Sequence, residues 1–76
     1  MEAEKLVRMA NQIAEFFDAE PDRDVARDGI AGHLRRFWDP RMRRELLRFV
    51  DEHQGEGLKD SALEAIRHHR AQLTPP

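Results

Sequence analysis

The chain has 76 residues, of which 39% are hydrophobic and 37% charged, with a formal net charge of −2 and no cysteine. This length has room for one small domain, and without cysteine the chain can build neither a disulfide framework nor a thiolate zinc site. No run of about 18 apolar residues could span a membrane, and the acidic start at residues 1–4 is unlike a secretory signal, so we expect a cytoplasmic protein.

The residue types favour helix along the whole chain. Ala, Leu, Glu, Lys, Arg, Gln and Met make up 43 of the 76 residues, whereas Val, Ile and Thr make up seven. The first group loses little side-chain freedom in a helix, and the second group is typical of strands. We therefore predict an all-α fold: a compact bundle of about four short helices, at about 2–18, 22–37, 40–54 and 59–72, in one domain that covers residues 1–76.

The first two predicted helices are amphipathic, since their apolar side chains recur three and four residues apart. In helix 2–18 one broad stripe contains Leu6, Met9, Ala10, Ile13, Phe16 and Phe17. In helix 22–37 one face contains Ala26, Ile30, His33, Leu34 and Phe37. Gly29 and Gly32 interrupt the second helix, and they either weaken it or allow another backbone to approach closely.

Residues typical of helix ends define where the third and fourth predicted helices begin and where the third ends. Asp39 is a good N-cap for helix 40–54, and Pro40 fits its first position because the missing N–H costs nothing there. Gly55 is a natural residue just beyond its end. Ser61 and Glu64 have capping-box spacing at the start of helix 59–72, although Asp60 and Lys59 are alternative starts. The apolar positions are Met42, Leu46, Phe49, Val50 and His53 in the third helix and Ala62, Leu63, Ile66 and Leu73 in the fourth.

Basic side chains concentrate in the middle of the chain. Residues 35–48 contain six arginines and two acids, whereas residues 1–34 and 49–76 are both net acidic. Arginine, tryptophan and other aromatic residues are enriched at protein interfaces. We interpret the region as a docking surface presented by the Asp39-Pro40 turn, with the candidate residues Phe37, Trp38, Arg41, Met42, Arg43 and Arg44.

Two alternatives to that docking surface stay open at this stage. The arginines could form a solvated face on which Arg41 pairs with Glu45 and Arg48 with Glu52, since both pairs have i, i+4 spacing. Trp38 and Met42 could equally belong to the core.

The chain carries little of the chemistry that catalysis or metal binding needs. His33 and His53 are expected at the core edge, and Glu64 with His68 would supply only two metal ligands. No glycine-rich phosphate loop is present, and the few hydroxyl side chains have no base placed by a known motif. We therefore predict no catalytic residue, no metal and no cofactor bound by this chain. Alternative functions are a helical nucleic-acid-binding module, with Arg41, Arg44 and Arg48 on one helix face, or a self-associating adaptor.

One central stretch resembles a known family. Residues 37–44, Phe-Trp-Asp-Pro-Arg-Met-Arg-Arg, are similar to a motif of the delta subunit of NAD-dependent, molybdenum-containing formate dehydrogenase. Residues 5–17, 33–36 and 55–58 add flanking similarity, so that the resemblance runs from Glu4 to about Ala71. The chain departs from the family pattern at Gly29, at Gly32 and at Lys59-Asp60, which replaces an expected serine-proline helix start.

The resemblance implies an accessory, non-catalytic subunit. It would dock on the catalytic (alpha) subunit, which binds the molybdenum cofactor, and would support assembly, cofactor insertion or stability of the complex. The molybdenum cofactor, iron–sulfur clusters, FMN and NAD would all belong to partner subunits, which oxidise formate to carbon dioxide and reduce NAD. Further candidate partners are the other subunits or a cofactor-insertion chaperone, and neither nucleic acid nor membrane is expected.

Overall fold

The computed structural model describes residues 2–76, and within this range it contains helices and no strand. The helices are α1 (Ala3–Phe17), α2 (Arg23–Phe37), α3 (Pro40–His53), α4 (Asp60–His68) and α5 (Arg70–Leu73). The all-α prediction is confirmed, and the first three helices begin and end within about a residue of their predicted bounds. The fourth predicted helix is corrected, because the backbone leaves the helical conformation at His69 (φ −111°, ψ 26°) and separates α4 from the single turn of α5.

Short polar side chains start two of the helices. Asp39 accepts a hydrogen bond from the backbone N–H of Met42 at 3.0 Å, with Pro40 in the first turn, as predicted. Asp22 caps α2 in the same way. The capping box at Ser61 does not form: α4 begins after Lys59, which was one of the alternative starts, and it has no side-chain cap.

Helix α1 lies at the centre of the fold, where it packs against α2, α3 and α4, while α2 also packs on α4 and α5. The largest fully buried side chains come from all five helices: Leu6, Ile30, Leu34, Leu46, Ile66 and Leu73. Buried alanines fill the spaces where helices approach closely, namely Ala10, Ala14, Ala31, Ala62 and Ala65. A core of branched side chains interleaved with alanines suits a chain with so few large apolar residues, because it brings the helix backbones close together.

Gly29 allows the ring of Phe17 to pack directly against the backbone of α2. A Cβ atom at this position would lie 2.3 Å from Cε1 of Phe17, so the ring occupies the space that any side chain would need. The close approach that was considered for the two glycines is therefore made by an aromatic ring rather than by a backbone. Gly32 faces open space, and it is simply a tolerated helix-interior glycine.

Asn11 connects α1 to the loop between α3 and α4. Its side-chain amide donates to the carbonyl of Gly57 at 2.9 Å, and its side-chain oxygen accepts from the backbone N–H of Lys59 at 2.8 Å. These two bonds satisfy backbone groups just before α4, whose N-cap has no side-chain partner of its own. Nothing in the helical periodicity of α1 distinguishes Asn11 from other polar positions.

An ion pair ties α3 to α5. Arg70 donates to both carboxylate oxygens of Asp51, at 2.8 and 2.6 Å, and this contact holds the pKa of Asp51 below its ordinary value. A carboxylate with a lowered pKa stabilises the fold at neutral pH, and its contribution is lost as the pH falls through that lowered pKa.

We expect Asp51→Asn to lower the free energy of unfolding slightly at pH 7 and to behave like the parent chain once the pH is well below about 4, where the parent carboxylate is itself protonated. Urea unfolding followed by circular dichroism across this pH range measures the effect. Glu52→Gln is the matched control, because Glu52 is exposed and forms no ion pair among residues 2–76. Equal pH profiles for the two variants would contradict the assignment.

Candidate protein-docking site

The predicted docking residues lie where α2 ends and α3 begins, but the structure exposes only some of them. Phe37 is 66% exposed, and Arg41 and Arg44 are also exposed. Met42 is half-buried and packs against the core. Trp38 and Arg43 are each only 6% exposed. The remaining two, Asp39 and Pro40, form the exposed turn that starts α3.

Trp38 belongs to the hydrophobic core, which was one of its two predicted locations. Its backbone N–H donates to the carbonyl of Leu34 at 3.1 Å, and its extended conformation (φ −88°, ψ 134°) ends α2. The change of chain direction at this point separates Trp38 from its neighbour Phe37, so that one ring is buried and the other faces solvent. Of the two locations that the sequence left open for Trp38, core and exposed anchor, the structure therefore has the core.

Arg43 is also corrected, because its side chain is buried rather than presented to a partner. The Nε atom is inaccessible and has no hydrogen-bond partner in residues 2–76. The other arginines at this end of α3 share a different surface, which is lined by Arg41, Arg44, Glu45 and Arg48. On that surface Arg48 lies 3.7 Å from Glu45, whereas the two predicted i, i+4 pairs do not form within the described chain.

An apolar groove runs beside the α2–α3 junction. We call it the aromatic groove; it has a volume of about 490 Å³ and is lined by Met9, Gln12, Ile13, Phe16, Phe17, His33 and Trp38. Phe16 is 76% exposed and stands edge-on to Phe17, with ring centroids 5.1 Å apart. Phe37 does not line the groove itself, but it contacts the lining residue His33, with ring centroids 4.8 Å apart.

Phe16 is the residue of this groove that the sequence prediction missed. It was placed in the apolar stripe of α1, but it points into solvent. Adjacent residues of a helix point about 100° apart, so Phe16 and Phe17 cannot both face the core. The two consecutive phenylalanines were the available signal, because one of them had to leave the core stripe.

The histidines are dispersed. His33 is half-buried, as predicted, whereas His53 is exposed and not at the core edge as expected. His69 Nε2 lies 2.8 Å from an Asp28 carboxylate oxygen, and this contact joins α2 to the link between α4 and α5.

From Glu2 to Pro76, no three His, Asp or Glu side chains are grouped so that they could hold a metal ion. No helix in the same range is long and apolar enough to cross a membrane.

The fold and the groove define a class: small all-helical proteins that leave an aromatic face open at the junction of two helices. A family model for the NADH-dependent formate dehydrogenase delta subunit, FdsD, matches residues 5–66 of the 76, so the chain belongs to this family. The match confirms the resemblance that residues 37–44 carry. Comparison with curated proteins and with solved structures produced no match.

Proposed function

We propose that the chain is a non-catalytic accessory subunit of a cytoplasmic NAD-dependent formate dehydrogenase and that its aromatic groove docks on the catalytic (alpha) subunit. In this proposal the contact supports assembly, cofactor insertion or stability of the complex. The molybdenum cofactor, iron–sulfur clusters, FMN and NAD are held by the partner subunits. The observation that carries the docking proposal is the exposure of Phe16 in one apolar groove and of Phe37 against His33, which lines the same groove.

The exposed phenylalanines are costly to leave in water in a chain with so small a core. Each large apolar side chain gains about 1.5–3 kcal/mol when it is transferred from water to an apolar environment. Contiguous apolar surface with a polar rim is typical of a binding site rather than of a monomer's surface. A partner that fills the groove would bury Phe16 and Phe37 together with the half-buried side chains of Met9 and Ile13.

The charge around the groove indicates what the partner surface looks like. Residues 35–48 have six arginines against two acids, and of the four arginines on α3, Arg41, Arg44 and Arg48 are exposed. Electrostatic complementarity favours a partner segment whose apolar side chains are flanked by carboxylates. In this arrangement Phe16 and Phe37 supply the apolar contact, Trp38 forms the floor of the groove, and Arg41 and Arg44 supply charge from their own surface of α3.

The binding test is alanine substitution of the two exposed phenylalanines. We expect Phe16→Ala and Phe37→Ala each to weaken binding to the purified large subunits about tenfold or more, because aromatic anchors commonly contribute over 1 kcal/mol. Val25→Ala is the matched control, since Val25 is a third exposed apolar side chain, 52% exposed, at the other end of α2. Affinity is measured by biolayer interferometry, with circular dichroism showing that all three variants stay folded.

Wild-type affinity in both phenylalanine variants would show that the groove is not the docking surface.

The accessory role has a separate test, in which the large subunits are expressed with and without this chain. Unchanged assembly, molybdenum content and formate oxidation would contradict that role. The two alternatives also give distinct results: a self-associating chain sediments as an oligomer when isolated, and a nucleic-acid binder binds duplex with an affinity that falls steeply with salt.

A further inference from the structure

A second cleft, separate from the aromatic groove, lies between α2 and the C-terminal segment. We call it the arginine cleft; its volume is about 830 Å³, and its lining consists of Gly32, Arg35, Arg36, Arg43, Ala71, Gln72, Thr74 and Pro76. Three guanidinium groups contribute to this lining and no carboxylate side chain does. None of these residues lines the aromatic groove, so the proposed docking contact leaves the cleft without an assigned role.

Arg43 is the unusual member of the cleft. Only 6% of its surface is exposed to solvent. Its Nε atom is inaccessible to water and has no hydrogen-bond partner among residues 2–76. Its backbone is held in the first turn of α3, where its N–H donates to the carbonyl of Asp39 at 3.1 Å. A buried cation is unfavourable unless an opposite charge and hydrogen-bond acceptors compensate for the lost water.

The chain does not supply that opposite charge. Four of the eleven arginines pair with acids in the described chain: Arg23 with Glu64, Arg27 with Asp24, Arg48 with Glu45 and Arg70 with Asp51. Arg35, Arg36 and Arg43 form no such ion pair within the described chain. Three arginines therefore line one cleft, and one of them, Arg43, has a buried Nε–H whose acceptor could come from a bound ligand.

We propose that the arginine cleft binds a diphosphate group, either as the free anion or as part of a nucleotide. The planar guanidinium fork matches phosphate oxygens in pairs, and three arginines match the charge of a diphosphate better than that of a single carboxylate. The cleft also falls within the usual size range of small-ligand sites, about 300–1,000 Å³. Arg43 forms the desolvated end of the site, and Arg35 and Arg36 close over the outer phosphate from the last turn of α2.

The test is a titration of the isotope-labelled full chain with sodium pyrophosphate at constant ionic strength, followed by NMR. We expect saturable shifts of the Gly32 and Gln72 amides and of the Arg43 Nε–Hε signal, together with a rise in Tm. Arg36→Gln should weaken binding at least tenfold. Arg44→Gln is the matched control, because it removes the same charge from an exposed neighbour of Arg43 that lies on the other surface. A parallel titration with ADP identifies the source: tighter binding of ADP indicates a nucleotide, and equal or weaker binding indicates the free anion.

Arg43→Met separates ligand binding from a structural role. Methionine keeps much of the buried volume without the charge, so we expect a higher Tm without pyrophosphate and no response to it. A wild-type chain that shows no saturable shift would overturn the proposal, as a site for a partner's carboxylate would leave this titration flat. Equal loss of binding in Arg36→Gln and Arg44→Gln would also overturn it, because it would indicate attraction to net charge alone. If Arg43→Met does not fold, the comparison of Arg36→Gln with Arg44→Gln still shows whether pyrophosphate binds in the cleft.

Discussion

Trp38→Ala is expected to lower the free energy of unfolding by about 3–5 kcal/mol, the usual range for deletion of a large buried aromatic side chain. Trp38 is 6% exposed and packs in the core cluster, where its removal leaves a cavity beneath the aromatic groove. Small domains commonly have a total stability of only about 5–15 kcal/mol. A large part of the population of this variant should therefore be unfolded in moderate urea, as followed by circular dichroism.

Phe37→Ala is the matched control for this first prediction, because Phe37 precedes Trp38 directly but is 66% exposed. Surface substitutions usually change the free energy of unfolding by less than about 0.5 kcal/mol. The two neighbours should thus separate cleanly: Trp38→Ala destabilises the isolated chain, and Phe37→Ala weakens binding to the large subunits. Comparable urea midpoints for the two variants would contradict the burial of Trp38.

Gly55→Ala is expected to destabilise the chain by about 1–3 kcal/mol. Gly55 follows α3 with φ of +72°, a left-handed conformation that costs a residue with a Cβ atom roughly 1–2 kcal/mol. Its Cβ would also lie 2.6 Å from Cδ1 of Leu63, so the leucine side chain must move away from its place against the core. Urea unfolding at neutral pH measures the loss.

Gly32→Ala provides the contrast, with an effect of opposite sign. Gly32 is exposed within α2, and nothing lies within 4 Å of a Cβ atom built on it. Alanine should therefore stabilise the helix by about 0.5–1 kcal/mol. If both alanine variants destabilise the chain equally, the left-handed conformation of Gly55 is not the source of its effect.

Much of the fold follows from signals that act over a few residues. The positions of α1, α2 and α3 follow from helix-favouring composition, from Pro40 and from the Asp39 cap. These signals work because capping and proline geometry involve only neighbouring backbone groups. The break at His69 lies outside the reach of these signals, because it depends on the packing of α5 against α2.

The candidate site was only partly predictable for the same reason. The family was correctly predicted from the resemblance, and of the candidate docking residues Phe37, Arg41 and Arg44 are exposed. The sequence pattern did not show which residue of two neighbouring pairs is buried. In the structure Trp38 is buried and Phe37 is exposed, and Arg43 is buried and Arg44 is exposed. Periodicity assigns a residue to a helix face, but burial depends on which other helix covers that face.

The linear pattern of residue types and the ends of the helices are therefore enough to predict an all-α chain with a basic, aromatic-rich junction between its second and third helices, whereas its family is shown by the family match. Packing alone decided that Phe16 and Phe37 stay in water, that Trp38 and Arg43 are buried, and that three arginines meet the C-terminal segment in one cleft. Helix formation is driven by local backbone and side-chain preferences, whereas exposure and the convergence of charge arise between residues far apart in the chain.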